Sequence, residues 1–567
     1  MKRSLFLSVS AVALLIGAPA FAQSNSTVKQ AGNKASATVT QTSQGRSDSL
    51  IDQTGNGNTA TVKQSGSGTQ VAPVNVSNIT QEGVSSTANV TQEHLGPDRN
   101  QSDILQGKGT NSASVNQFGH NTSEITQSTT GASATVNQGN KASGQPVGGN
   151  TSSIEQSEGS TATINQNVLV PATGNGNYGG NDSFLLQDYG SAGASASVNQ
   201  TGLRGQSDIY QSAAARANVT QNGDDQMSTV NQSVDGAEAD VTQSGVGNTS
   251  TVTQRGGGST VVTQSGATNT ADVLQEEAAT SDVTQSGSNN DARVRQFNAS
   301  VGGHMSIGQT GNENSAEGEQ RAAATATYTQ NGNRNYAFGS QGFDAAGADL
   351  NLNQKGNSNA AVFRQRNGAT KAVADIDQIG DGNSIVGFQQ DGATGAYAKV
   401  NQTGNSGQAD VFQTGANQSL KVNQGGLQNK AEVTQGGVPN ADPQRSNDPN
   451  PKAIASSKDN EAFVDQIGTG NLVMVAQTGN SDKATSNQSG NGNTSTIFQG
   501  LTEGGAVVAS ADNEASVFQA GNGNTSAVYQ SGSLNSALVT QSSDNNMSKV
   551  TQGGSNNSAT VTQGGGM

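Results

Sequence analysis

The side chains that recur at fixed spacing in this chain are amides. A glutamine preceded two residues earlier by a β-branched or aliphatic residue appears as Val62/Gln64, Ile79/Gln81, Val90/Gln92, Val241/Gln243, Val252/Gln254, Val539/Gln541, Val550/Gln552 and Val561/Gln563, most often eleven residues apart. Counting variants, there are roughly forty such units. A primary amide donates and accepts hydrogen bonds but is neither nucleophile nor base at neutral pH, so such a series offers pairing with copies of itself in stacked amide ladders. Side chains capable of covalent chemistry show no comparable order. Cys is 0, which removes thiol nucleophiles and thiolate metal sites. His94, His120 and His304 stand far apart and outside any short ligand motif. Serine is abundant enough to assemble a Ser/His/Asp set on paper, yet no nucleophile-elbow motif supports one. Glu276/Glu277 and Asp224/Asp225 could be offered as a sugar-cleaving acid and base, but neighbours on a strand point to opposite faces. The chain therefore reads as a non-enzyme, with no catalytic residues, no metal site and no cofactor.

The amides need an element that brings them together. In Asn58-Thr-Ala60-Thr-Val62-Lys-Gln64, Asn58, Ala60, Val62 and Gln64 fall on one face and Thr59, Thr61 and Lys63 on the other. That is the period of a strand. Linkers such as Thr54-Gly55-Asn56-Gly57 follow each glutamine, and Gly and Asn tolerate the positive φ of a reversal. A helix fails because the apolar positions alternate, Gly appears in almost every unit, and Val and Thr dominate the strand positions. Proline, which cannot donate to a ladder, stays out of the regular units: Pro73, Pro97, Pro146, Pro171, Pro439, Pro443, Pro449 and Pro451 all fall where the glutamine spacing stretches. The expected fold is all-β, a β-solenoid of strand-turn-strand rungs with two eleven-residue units per coil, stacked about 4.8 Å apart in an amyloid-like manner. Ala and Val lie inside, flanked by Asn and Gln ladders. One buried Val per strand cannot offset the entropy of ordering a rung, so stability accrues only by stacking.

Composition agrees with a thin core: of 567 residues, 31% are hydrophobic and 4% aromatic. Lys+Arg 28 against Asp+Glu 43 gives a net charge of −15, which argues against nucleic acid or an anionic membrane as partner. Lys2 and Arg3, the apolar run Leu5 to Ile16 and Ala20-Phe21-Ala22 have the order of an export signal over residues 1–22, and no later run is long enough to span a membrane. The expected organisation is a long repeat array over 23–435, a Pro/Asn/Asp-rich linker or loop over 436–461 and a second array over 462–567.

The full spacing Ser47-x5-Gln53-x-Gly55-x2-Asn58-x-Ala60-x3-Gln64 resembles the curlin repeat of the curli fibre subunits, as do Gln264, Gly266, Asn269, Ala271, Gln275 and Gln552, Gly554, Asn557, Ala559, Gln563. The resemblance implies a secreted functional-amyloid subunit that polymerises into extracellular fibres for surface adhesion and biofilm matrix. It implies the chain itself as partner, with a nucleator subunit, a periplasmic chaperone and an outer-membrane pore as further candidates. Two departures from the family stand out: the strand pattern Ser24, Ser26, Val28, Gln30 begins almost at the expected cleavage site, where the family usually has a pore-addressing segment, and the array is much longer than usual.

An unpaired terminal strand templates another chain. Ser24, Ser26, Val28, Gln30 and Asn557, Ala559, Val561, Gln563 are thus expected to be the templating strands of head-to-tail growth, while outward acidic residues act as gatekeepers against misregistered stacking. Outward Thr pairs such as Thr38/Thr40 and Thr251/Thr253 resemble ice-binding arrays, but Lys63, Asn116, Asp272, Arg293 and Arg295 interrupt the pattern. Phe388, Phe412, Phe498, Phe518 and Tyr529 sit beside the glutamine as either a sticky stripe or scattered surface hydrophobes. The alternative function is a non-polymerising cell-surface β-solenoid adhesin that binds carbohydrate or host surfaces.

Overall fold

The computed structural model describes residues 24–42, 45–67, 74–95, 99–139, 149–167, 180–437 and 457–564. The expected export signal over 1–22, all the prolines and most of 436–461 lie outside the described residues. The chain divides into two compact units, Met1–Gln275 and Glu276–Met567. Each is all-β among its described residues and each is a β-solenoid of parallel, stacked strands.

In the first unit, β1 (Asn25–Gln30) pairs with β3 (Ser47–Gln53), and β2 (Ser36–Gln41) with β4 (Thr59–Ser67). The alternation continues to β20 (Ser259–Ala267) and β21 (Thr270–Gln275), so successive strands belong to opposite walls and a coil takes two of them. Pairing is in register: Ala60 opposes Ala88, Val62 opposes Val90 and Gln64 opposes Gln92. The period of two decides which side chains meet inside. Asn58, Ala60, Val62 and Gln64 are at most 1% exposed, while Thr59 and Lys63 are exposed.

The turn glycines of the repeat are required for two different reasons. Gly57 has φ 70°, in the left-handed region. Gly55 does not, but a Cβ there would collide with the carbonyl oxygen of Gly83 in the next coil, so the arcs approach too closely for a side chain.

The walls of the first unit differ inside. Up to β19 (Thr249–Gln254), strands of the odd-numbered wall carry serine at the second inward position, as in Ser49, Ser77, Ser102, Ser123, Ser207, Ser228 and Ser250. The even-numbered wall carries alanine, as in Ala60, Ala88, Ala113, Ala134 and Ala217, and the last coil departs with Thr260 in β20 and Ala271 in β21. Beside the serines sit Ile51, Ile79, Ile104 and Ile125, and beside the alanines Val62, Val90, Val115 and Val136. These are called here the serine wall and the alanine wall.

The second unit follows the same plan, with β22 (Thr280–Ser288) on β24 (His304–Asn312) and β23 (Asp291–Gln296) on β25 (Ser315–Gln320). Its core departs from the repeat at Tyr328, which is 1% exposed and takes the place of a valine. The ring fills the space left by Gly318 and Gly339 on the facing wall: a Cβ at either would strike Tyr328 or its neighbours Met305 and Leu350. Phe363 likewise covers Gly387, its neighbour in register. Large and small residues are exchanged at constant volume, as a close-packed interior demands.

The boundary expected at 436–461 does not interrupt the stack of the second unit. β34 (Ser419–Leu427) pairs directly with β36 (Glu461–Thr469), and β35 (Lys430–Gln435) with β37 (Leu472–Gln477). The strand pairs themselves set the register across this connection, so its extra length leaves the stack in place.

Candidate functional site

The repeated amides form the site that the sequence points to. Gln53 Nε2 donates to Gln81 Oε1 at 2.7 Å on the serine wall, and Gln64 Nε2 to Gln92 Oε1 at 2.9 Å on the alanine wall. Each amide also reaches across the core: Gln53 Nε2 donates to the Ser36 carbonyl and Gln64 Nε2 to the Asp48 carbonyl, both at 3.1 Å. One side chain therefore ties its coil to the next and one wall to the other. Glutamine is long enough for both bonds, and buried amides so engaged leave no polar atom stranded. Gln264 accepts from Gln243 at 2.9 Å and Gln275 from Gln254 at 2.8 Å, while Ala271 is buried. Gly266 has φ 101° and lies near the end of β20, paired in register with Gly245.

Asparagines at the strand entrances make a second series. Asn58 Nδ2 donates to the Gly83 carbonyl at 3.0 Å, and its Oδ1 accepts the Ser86 N–H at 3.0 Å. Asn269 Nδ2 donates to Asn248 Oδ1 at 3.0 Å. Ser47 lies at the equivalent position of β3, fully buried, with its N–H on Ser24 Oγ at 3.3 Å. In the second unit Asp482 takes an asparagine place, fully buried, and accepts from Ser510 Oγ at 2.7 Å and from Asn513 N and Nδ2 at 3.0 Å. Burial pushes its carboxyl above the usual carboxylate range, and those hydrogen bonds offset part of the rise.

The strands expected to template growth are the open ends of these series. Among the described residues, β1 and β2 pair on one side only, and so do β45 (Met547–Gln552) and β46 (Ser558–Gln563) in the second unit. Val28 is 37% exposed, against 0% for Val62 at the same repeat position. Ser24, Ser26 and Asn557 are exposed, and Gln30, Ala559, Val561 and Gln563 half-buried. Gln541 Nε2 donates to Gln563 Oε1 at 2.7 Å.

Residues 511–542 match the family model of the curlin associated repeat. That segment carries the curlin associated repeat. The matched stretch contains β41 (Glu514–Ala520), β42 (Thr525–Gln530) and β44 (Ser536–Gln541), with their Gln519–Gln541 bond at 2.9 Å. The curlin spacing thus corresponds to one strand and one arc, its Gln, Asn and Ala inward and its Gly where arcs touch. No curated protein matches the chain.

Several outward expectations change once the strands are stacked. Phe388 and Phe412 oppose each other in register but are 4% and 5% exposed, so they form neither a sticky stripe nor a pair of surface hydrophobes. Arg364 and Arg366 lie over the Phe388 ring at 5.7 and 5.8 Å. Asp410 and Glu432 on the same face have carboxyls raised by burial. Phe498 and Tyr529 make an edge-on pair at 5.7 Å, and Phe518 stays 39% exposed. His94 is buried because the strand continues past Gln92 and its alternation turns residue 94 inward. Among the described residues no group of acidic or histidine side chains could hold a metal ion, and no helix is long and apolar enough to cross a membrane.

The serine column was missed by the repeat pattern, which expects Ala at that place. The hydroxyls of Ser49, Ser77, Ser102, Ser123, Ser207, Ser228 and Ser250 are buried with no hydrogen-bond partner among the described residues. Their signal was present in the sequence as an alternation of Ser and Ala from one unit to the next. The Thr pairs also sort differently: Thr38 and Thr40 lie on the alanine wall and Thr251 and Thr253 on the serine wall, so Asp272, opposite Thr251, does not interrupt the first pair's face.

Proposed function

We propose that the chain is a secreted structural subunit that self-assembles into curli-like extracellular fibres for surface adhesion and biofilm matrix. The observation that carries this reading is the in-register amide and aliphatic stacking of each unit, together with end strands whose inward positions stand open. A strand added to such an edge gains ladder bonds, a glutamine bond and a buried aliphatic contact at once. Growth is head-to-tail, with β1 and β2 of one molecule meeting β45 and β46 of the next. A seeded fibre assay tests it. Val561→Pro removes a ladder N–H and an inward side chain, whereas Thr562→Lys changes only an outward one, so the first variant should elongate at least tenfold more slowly than the second. Equal rates, or a purified chain that stays monomeric with no reflection near ~4.8 Å, defeat the reading and favour the adhesin.

A further inference from the structure

The outer surfaces of the first unit's two walls differ more than their interiors. On the serine wall, carboxylates project at Asp48, Asp52, Asp103, Glu124, Glu155 and Asp208. On the alanine wall, the three outward positions before each ladder glutamine, from Ser36 in β2 to Asn199 in β14 (Ser195–Thr201), hold only Ser, Thr and Asn apart from Lys63. All of them are half-buried or exposed. The amides there are already aligned: Asn116 Nδ2 donates to Asn137 Oδ1, and Asn137 Nδ2 to Asn165 Oδ1, each at 2.8 Å.

We propose that this hydroxyl and amide face is a lateral contact surface whose partner is the same face of a second copy of this chain. Charge selects the occupant. A chain of net charge −15 repels its copies, and the repulsion is strongest where carboxylate faces meet. The stretch of the alanine wall from β2 to β14, before Arg216, Glu238 and Asp240 project from the same wall, is a broad face on which two copies approach without opposing carboxylates at those positions. Hydroxyls and amides each donate and accept, so the face is complementary to itself, as a two-fold contact requires. Both copies repeat at the strand spacing, so a side-chain row that fits at one coil fits at every coil, in the manner of a dry zipper between paired sheets. The lateral contact would join filaments side by side, and for that setting it rests on the assembly reading above.

The test compares the full chain with two triple variants that add equal charge: Ser114→Lys, Thr135→Lys and Thr163→Lys on the alanine wall, and Thr126→Lys, Thr151→Lys and Ser153→Lys on the serine wall. Mass per unit length of the filaments, measured by scanning transmission electron microscopy, should fall twofold for the first variant and stay unchanged for the second, with both elongating from seeds at the parent rate. Paired filaments in the alanine-wall variant, or single filaments in the parent, overturn the proposal. If no filaments form, the assembly reading fails separately, and sedimentation of the soluble chain decides: a dimer lost only in the alanine-wall variant upholds the face contact, and a monomeric parent removes it. Loss of binding to insoluble cellulose by the alanine-wall variant with mass per length unchanged would reassign the face to polysaccharide and also overturn the proposal.

Discussion

The serine wall and the alanine wall of the first unit are built from nearly the same repeat yet differ on both surfaces. One joins an inward column of hydroxyls, most of them unpartnered although Ser152 and Ser183 bond to ladder glutamines, to an outward set of carboxylates. The other joins inward methyl groups to an outward grid that is neutral and polar from β2 to β14 apart from Lys63. What they share is the glutamine series and its bonds across the core. The comparison separates a common frame, which must be kept, from surfaces that can be specialised around it.

Breaking the frame should have the largest effect and the same effect on both walls. Gln232 on the serine wall accepts from Gln211 and donates to Gln254 and the Arg216 carbonyl; Gln221 on the alanine wall accepts from Gln200 and donates to Gln243 and the Gln206 carbonyl. Replacing either with Leu strands buried polar groups above and below, at a cost of about 2–4 kcal/mol. Hydrogen exchange of the flanking strands should show equal loss of protection; a wall that tolerates the change would mean that its glutamines are not the frame.

Inward exchanges should have a smaller effect, and of opposite sign on the two walls. Ala217→Ser adds a buried hydroxyl and should destabilise by ~1–2 kcal/mol, whereas Ser228→Ala removes an unpartnered one and should be neutral or stabilising by up to ~1 kcal/mol. Thermal unfolding of the two single variants measures both. A destabilised Ser228→Ala would show that the serine column has partners of its own.

The smallest effect distinguishes the outward surfaces by pH. Burial raises the carboxyls of Asp182 and Asp208, and the Asp182 charge raises Asp208 further. A carboxyl with a raised folded value binds more protons folded than unfolded between its ordinary value and the raised one, so stability increases as pH falls into that window. Asp208→Asn should flatten this part of the profile, while Thr220→Ala, on the alanine wall, should leave it unchanged. An unaltered slope in Asp208→Asn would assign the dependence elsewhere.

Much of this arrangement was legible in the sequence because the period of two has a single physical outcome: Asn58, Ala60, Val62 and Gln64 can all be buried only as a strand face, and the eleven-residue spacing places two strands in each coil. The Gln64–Gln92 bond follows from register. Departures from the average unit were not legible in that reading. Gly318 and Gly339 look like weak points along a strand until Tyr328 arrives from the facing wall to occupy their space. Phe388 and Phe412 look like surface residues because alternation assigns them outward and says nothing about what covers that side. The Ser and Ala columns required comparing every second unit instead of every unit, since a wall repeats once per coil.

Gln424 Nε2 meets Gln466 Oε1 at 2.9 Å although 42 residues separate them, the same length as the bond between Gln530 and Gln552, which are 22 apart. Segment length at an arc is therefore decoupled from coil geometry. A foreign domain spliced between Gly437 and Ser457 would leave the buried Ser457 and Asn460 in the stack and, in the fibre proposed above, would be displayed once per molecule, making that position a natural graft point for cargo.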